Sequence, residues 1–254
     1  MQKLFIKNRK NQNIAVIVEQ AENQKWLAFV MHWLSWRKEE PHIELFAKVF
    51  KDNNYSVVRF DTTNTFGESD GDYADATVTN YYEDLEDVID WAKEKEFYKE
   101  PFVLCWHSVG GICTTLYAQN NPEKIKALAP IATVVSWNLS KDLYSAEKLK
   151  NREETWWLTK PRSHGWVKKI KWWHMLDRLK YDLIPKANLL TMPLLMIVWD
   201  RDDSTPPRHQ QILFDAIPWE NKELHIIKDA IHTFNEKANL DEIYTIFDKR
   251  IKNI

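Results

Sequence analysis

The chain has 254 residues, 44% hydrophobic and 28% charged, with a net charge of −2, which suits one globular domain with a sizeable core; its evenly spread Lys and Arg argue against a nucleic-acid surface. No apolar run approaches the ~18 residues of a membrane span, and residues 1–7 lack the apolar core and cleavage site of a signal peptide. The two cysteines, Cys105 and Cys113, make no CxxC or Cys/His metal spacing, so a reduced cytoplasmic setting without metal or organic cofactor is expected.

Short apolar runs begin at 14–18 and 27–31. Continuously apolar runs are the mark of strands buried on both faces. Glu39-Glu40-Pro41 then opens a helical pattern, proline being suited to a first turn. A strand at 56–60 is followed by a helix over about 79–95, with Leu85, Val88, Ile89 and Ala92 at helical spacing. The run 102–105 leads into a helical pattern at 109–120, and another run follows at 127–131. Residues 136–188 break the alternation: Trp156, Trp157, Trp166, Trp172 and Trp173 lie among many lysines. This stretch reads as a helical insertion, either an added packing layer or a lid. As a lid its aromatic residues, Trp157 and Trp173 among them, would line an apolar substrate pocket. Runs at 194–198 and 224–227 alternate with helices at 208–217 and 235–251. The order predicts a single α/β domain over 1–254, with a mostly parallel central sheet and helices on both faces.

Ser108 stands in Trp106-His107-Ser108-Val109-Gly110-Gly111, directly after a strand and before a helix. That is the setting of a nucleophile elbow. A serine hydroxyl needs a base, the base needs a carboxylate to fix its tautomer, and the oxyanion needs preorganised N–H donors. The acid falls among Asp200, Asp202 and Asp203, just past the strand at 194–198. The base is His232, after the last strand and before the last helix. The donors are the amide of Val109 and one from the loop His32-Trp33-Leu34-Ser35-Trp36, with Leu34 favoured. Singly, such residues are more often a turn, a helix cap or a surface histidine; their joint order carries the reading. His107 and His32 are expected to hold structure rather than move protons.

Several segments carry a family resemblance: 32–36 followed by Glu39-Glu40-Pro41-His42, Arg59-Phe60-Asp61, Gly67-Glu68-Ser69-Asp70-Gly71, the elbow, 200–206 and His232. Across nearly its whole length the chain resembles bacterial α/β-hydrolases of the esterase and serine-aminopeptidase-like group, most of all the cinnamoyl/feruloyl esterase branch. The resemblance implies the α/β-hydrolase fold, Asp202 as the acid, and hydrolysis of a small-molecule carboxylic ester through an acyl-enzyme on Ser108. An amidase or peptidase on the same residues is the alternative within that machinery; a non-catalytic binding protein is the alternative outside it. A homodimer is compatible with the sequence.

The departures from the family pattern share one form. Where the family has H-G-x-x-G, G-H-S-x-G-G and G-D-x-D, this chain has Trp33, Trp36, Trp106 and Trp199 at the glycine positions. Trp137 and Trp219 also sit in turn contexts that favour glycine. The 5 glycines and 13 tryptophans together make about 7% of the chain, the usual share of glycine alone. The pattern fits a gene whose UGA codons specify glycine but were read as tryptophan. If the tryptophans are real, the elbow and oxyanion loop are expected to be distorted.

Overall fold

A computed structural model describes the chain except residues 33, 162–166 and 233–236, and the side chains at 142, 160, 161 and 167. The expected strands form β2 (Asn13–Glu19), β3 (Trp26–Met31), β4 (Tyr55–Phe60), β5 (Phe102–His107), β6 (Ile125–Ile131), β9 (Leu194–Trp199) and β10 (Lys222–Ile227). With β1 (Gln2–Lys7) they make an eight-stranded sheet of order β1-β2-β4-β3-β5-β6-β9-β10. Pairing is antiparallel for β1 with β2 and for β2 with β4, and parallel from β4 onward. Strands β4, β5 and β9 are buried at every position; β9 is apolar throughout, as a strand covered on both faces should be, and β4 buries Ser56 and Arg59 among its apolar residues. β1 escaped the pattern because only Ile6 of its six residues is buried.

Helices cover both faces. On one side, α2 (Val78–Ala92) and α3 (Val109–Asn120) pack Leu85, Val88, Ile89 and Ile112 onto Phe29, Leu104 and Met196 of the sheet. On the other, α1 (Pro41–Asp52) and α8 (Lys237–Ile251) pack Phe46, Phe50 and Phe247 onto Val57, Val103 and Ile197. α1 begins on Pro41, whose missing N–H costs nothing in a first turn. α2 is capped by the Thr77 hydroxyl, which accepts from the Asn80 amide at 3.0 Å. α7 (Pro207–Ala216) lies between β9 and β10.

Between β6 and β9 lies the expected insertion, but it is not wholly helical. α4 (Trp137–Ser140), α5 (Ala146–Thr155) and α6 (Trp173–Arg178) are joined by an antiparallel hairpin of β7 (Trp157–Pro161) and β8 (Val167–Lys171). The sequence Val167-Lys168-Lys169-Ile170-Lys171 does not alternate strictly, so the hairpin carries no clear strand period in its residues. Trp166 lies outside the described residues. Among the described residues no helix is long and apolar enough to cross a membrane, and no group of three or more His, Cys, Asp or Glu is placed to hold a metal ion.

Candidate active site

Parallel strands end on one edge of the sheet, and loops beyond that edge carry the polar residues in such folds. Ser108 sits there, between β5 and α3, with φ 58° and ψ −119°. A non-glycine residue in this region costs about 1–3 kcal/mol and persists only where its surroundings fix it. Here the fixing is by backbone: the Ser108 amide donates to the Ile131 carbonyl at 2.9 Å, and the Ser108 carbonyl accepts from Gly111 at 2.9 Å and Val134 at 3.2 Å.

The turn aims the Ser108 hydroxyl at His232. The His232 Nε2 lies 3.0 Å from Ser108 Oγ, and its Nδ1 lies 2.7 Å from Asp202 Oδ2. An ionised carboxylate only accepts, so Nδ1 carries the proton and Nε2 is left to accept from the serine. Asp202 is set by its own loop: Oδ1 accepts the amides of Ser204 at 2.9 Å and Thr205 at 2.8 Å, and Oδ2 accepts the Thr205 hydroxyl at 2.9 Å. Burial by itself raises the Asp202 pKa, but the hydrogen bond and charge of His232 and the donors of Thr205 outweigh it and hold the carboxyl below its ordinary value. Of the three candidate aspartates, Asp202 is the one whose carboxylate meets His232. Asp200 and Asp203 are both exposed, and Asp203 reaches only the wall of the cavity.

His107 is fully buried and packs against His232, ring centroids 4.9 Å apart, and edge-on against Trp199 at 5.2 Å. Burial, then the charges of His232 and His42, push its pKa well below the ordinary histidine value. It is therefore a neutral packing partner for the imidazole of His232. His32 is likewise buried, its Nε2 accepting from the Thr62 amide at 3.1 Å.

The loop after β3 is anchored at its far end by a buried ion pair, Lys38 Nζ to Asp61 Oδ2 at 2.8 Å, reinforced by the Lys38 amide on Asp61 Oδ1 at 2.7 Å. Leu34 and Val109 line one cavity with Ser108 and His232. The Val109 amide is in the first turn of α3, where N–H groups have no partner within the helix. Trp33 lies outside the described residues. Lys168 of β8 reaches across from the insertion and donates to Ser35 Oγ at 2.6 Å.

The indoles of Trp106 and Trp199 are accommodated rather than disruptive. Trp106 is fully buried, edge-on to Phe60 at 5.6 Å, and its Nε1 donates to the His32 carbonyl at 2.8 Å. Trp199 is also fully buried. Neither breaks the chain from Ser108 to Asp202, so the expected distortion of the elbow does not occur. The indole of Trp106 instead fills the space above Gly110, where a Cβ would fall 0.8 Å from Trp106 Nε1. Trp156 shows the glycine signature most directly: it caps α5 with φ 62° and ψ 13°, the left-handed conformation that glycine usually supplies.

The cavity over Ser108 has a volume of about 380 Å³. Its apolar wall includes Leu34, Trp36, Tyr73, Tyr144, Leu158 and Ile170. Neither Trp157 nor Trp173 belongs to it, a correction to the sequence reading. Leu158 pairs with Ile170, and both are buried on the cavity side of the hairpin; Trp157, one residue away in the pleat, faces a separate groove with Thr159 and Lys169. Trp173 is 58% exposed and meets Trp156 edge-on at 5.8 Å. Tyr73, Tyr144, Lys168 and Arg178, which do line the cavity, carried no motif.

The family model described as "Serine aminopeptidase, S33" matches residues 41–167. Among curated proteins, an uncharacterized 31.7 kDa protein of Escherichia coli is 23% identical over 219 residues, covering 74% of this chain and 76% of its own. Human mitochondrial palmitoyl-protein thioesterase ABHD10 is 23% identical over 202 residues, covering 78% of this chain and 64% of its own length. Among solved structures, Est1E of Butyrivibrio proteoclasticus, with ferulic acid bound, superposes with a TM-score of 0.82 at 18% identity, over 98% of each chain. Mouse alpha/beta hydrolase domain-containing protein 10 gives 0.81 at 20% identity, over 100% of this chain and 99% of its own.

Proposed function

The chain belongs to the α/β-hydrolase family, in the group described as serine aminopeptidase S33, and from that premise we propose that it is a serine hydrolase cleaving carboxylic esters through an acyl-enzyme on Ser108. The observation that carries this reading is the hydrogen-bonded chain Ser108–His232–Asp202, at 3.0 and 2.7 Å, built on a serine with positive φ. Ser108 Oγ attacks the ester carbonyl while His232 Nε2 takes its proton; Asp202 stabilises the imidazolium. The amides of Val109 and Leu34 receive the oxyanion. The proton passes from His232 to the departing alcohol, and water repeats the sequence on the acyl-enzyme. The apolar wall of Leu34, Leu158 and Ile170 suits the acyl portion, and the 136–188 insertion serves as its lid.

An aminopeptidase needs a carboxylate to hold the substrate's ammonium. Among the described residues the wall carries the cations Lys168, Arg178 and Arg201 against one acid, Asp203, which favours esters over amino-terminal peptides. A fluorophosphonate probe should label the protein at Ser108 and fail to label Ser108→Ala, and 4-nitrophenyl esters should be turned over faster than aminoacyl anilides. Labelling that survives Ser108→Ala would place the nucleophile elsewhere.

A further inference from the structure

The insertion is basic on an otherwise acidic chain. Residues 141–180 hold eleven Lys and Arg against five Asp and Glu, in a protein of net charge −2. Two of these cations are built into one aromatic stack. Trp137 and Tyr144 are stacked, with centroids 6.2 Å apart and planes at 28°. The Arg178 guanidinium lies 5.2 Å from the Trp137 ring, and that of Arg152 lies 4.2 Å from the Tyr144 ring. Such stacking orients a guanidinium and leaves its edge available for hydrogen bonding.

Part of that edge finds no acceptor among the described residues. Arg178 Nε and Arg152 Nη1 are buried and meet no hydrogen-bond acceptor among the described residues. Nor does either side chain make an ion pair there, whereas Arg201 pairs with Asp229 and Lys168 donates to Ser35. Burial is the largest influence and lowers the Arg178 pKa; the charge and hydrogen bond of Tyr144 oppose it, and the nearby charge of Arg152 adds a smaller lowering. Buried cations are normally paired, because an unpaired one is costly. Arg178 and Tyr144 line the cavity that holds Ser108, while Arg152 opens onto the adjoining groove beside Lys148 and Lys169. A guanidinium without an ion-pair partner among the described residues therefore lines the cavity over Ser108.

We propose that Arg178, backed by Arg152, binds an anionic oxygen group of the substrate, a carboxylate or a phosphate, so that the preferred substrates are esters carrying a negative charge remote from the scissile bond. A guanidinium meets either group through two parallel hydrogen bonds. The inference rests on the serine-hydrolase reading for its chemistry, but not for its binding.

The test compares three 4-nitrophenyl esters of equal acyl length: one ending in a free carboxylate, one in a methyl ester, one in a phosphate. The wild-type protein should prefer a charged ester over the methyl ester by about tenfold or more in kcat/KM, as a charged hydrogen bond implies. The two charged arms tell carboxylate from phosphate. Arg178→Met should collapse that preference to about twofold or less, and Arg178→Lys should restore part of it, since a lysine keeps the charge but not the fork. Binding of the same esters to Ser108→Ala protein, followed by tryptophan fluorescence, should show the same order without turnover. Equal handling of charged and neutral esters by the wild type, in turnover and in binding, would overturn the proposal; so would a preference that survives Arg178→Met. Should Arg178→Met not fold, the wild-type ratio and Arg152→Met decide in its place, the latter reducing the preference. Fluorophosphonate labelling of Ser108 separates the two readings: labelling without charge preference sinks only the anion site, whereas charge-selective binding without labelling sinks only the hydrolase.

Discussion

Gly110→Ala offers the sharpest test of how the elbow is packed. An ideal Cβ at Gly110 has as its three nearest neighbours Nε1, Cδ1 and Cε2 of Trp106, at 0.8, 1.3 and 2.0 Å. Real Cβ atoms do not approach within 3.0 Å, so the indole must retreat by about 2 Å. Trp106 is fully buried and held against Phe60, with its Nε1 on the His32 carbonyl. Overpacking costs about 1–3 kcal/mol, and stranding the buried His32 carbonyl adds about 1–3 kcal/mol. The expected loss is about 2–6 kcal/mol, a large part of a domain's ~5–15 kcal/mol. In a Trp106→Gly background the same substitution meets none of those three atoms. There alanine's helical preference in α3 should make it neutral or favourable by about 0.5–1 kcal/mol. Trp106→Gly itself should cost about 3–5 kcal/mol as a core truncation. Urea unfolding of the four proteins in this cycle measures the coupling. Equal costs of Gly110→Ala in both backgrounds would refute the contact, and with it the account of why glycine stands at 110.

Other expectations can be checked directly. Asp202→Asn should lower kcat by roughly 10³–10⁴-fold while leaving substrate binding largely intact, because it upsets the His232 tautomer; stopped-flow hydrolysis of an aryl ester reads this. The same substitution should flatten the acid side of the stability profile. The Asp202 pKa is lowered on folding, so its contribution is present above the ordinary carboxylate range and is lost as pH falls through the folded value. Urea midpoints between about pH 5 and 3 should therefore fall less steeply in the variant than in the parent. Trp156→Gly should raise stability by about 1 kcal/mol, since a left-handed non-glycine residue costs about 1–2 kcal/mol and only an edge contact with Trp173 is given up; a melting-point decrease would contradict it. UGA codons should stand at 33, 36, 106 and 199; UGG at those positions would end the recoding explanation.

Much of this architecture was legible in the residues, for identifiable reasons. Strands such as β5 and β9 are buried on both faces, so their sequences are apolar without interruption. β1 is an edge strand whose charges face water, and it gave no signal. The hairpin of β7 and β8 was concealed by its lysines and flanking tryptophans, which resemble an amphipathic helix. Reading that stretch as helical placed the substrate assignment on Trp157 instead of Leu158 beside it. Ser108 and His232 follow from their places after strands. Asp202 does not follow from place alone, since Asp200 and Asp203 share the loop; the Thr205 amide and hydroxyl select it. The cations of the cavity were invisible because guanidinium–aromatic stacking between residues 137, 144, 152 and 178 has no fixed spacing.

The bond from Lys168 to Ser35 joins the insertion to the loop after β3; under the proposed mechanism these are the substrate cap and the source of the second oxyanion donor. Affinity gained at the cap is therefore transmitted to the place where charge develops, and remote contacts are expressed in turnover as well as in saturation. Truncating the substrate away from the cap should then lower kcat, and replacing Lys168 should make long and short esters alike in kcat. Selectivity in this enzyme class is usually sought in the shape of a pocket; here a single ammonium on a hydroxyl sets how far recognition at one end is felt at the other.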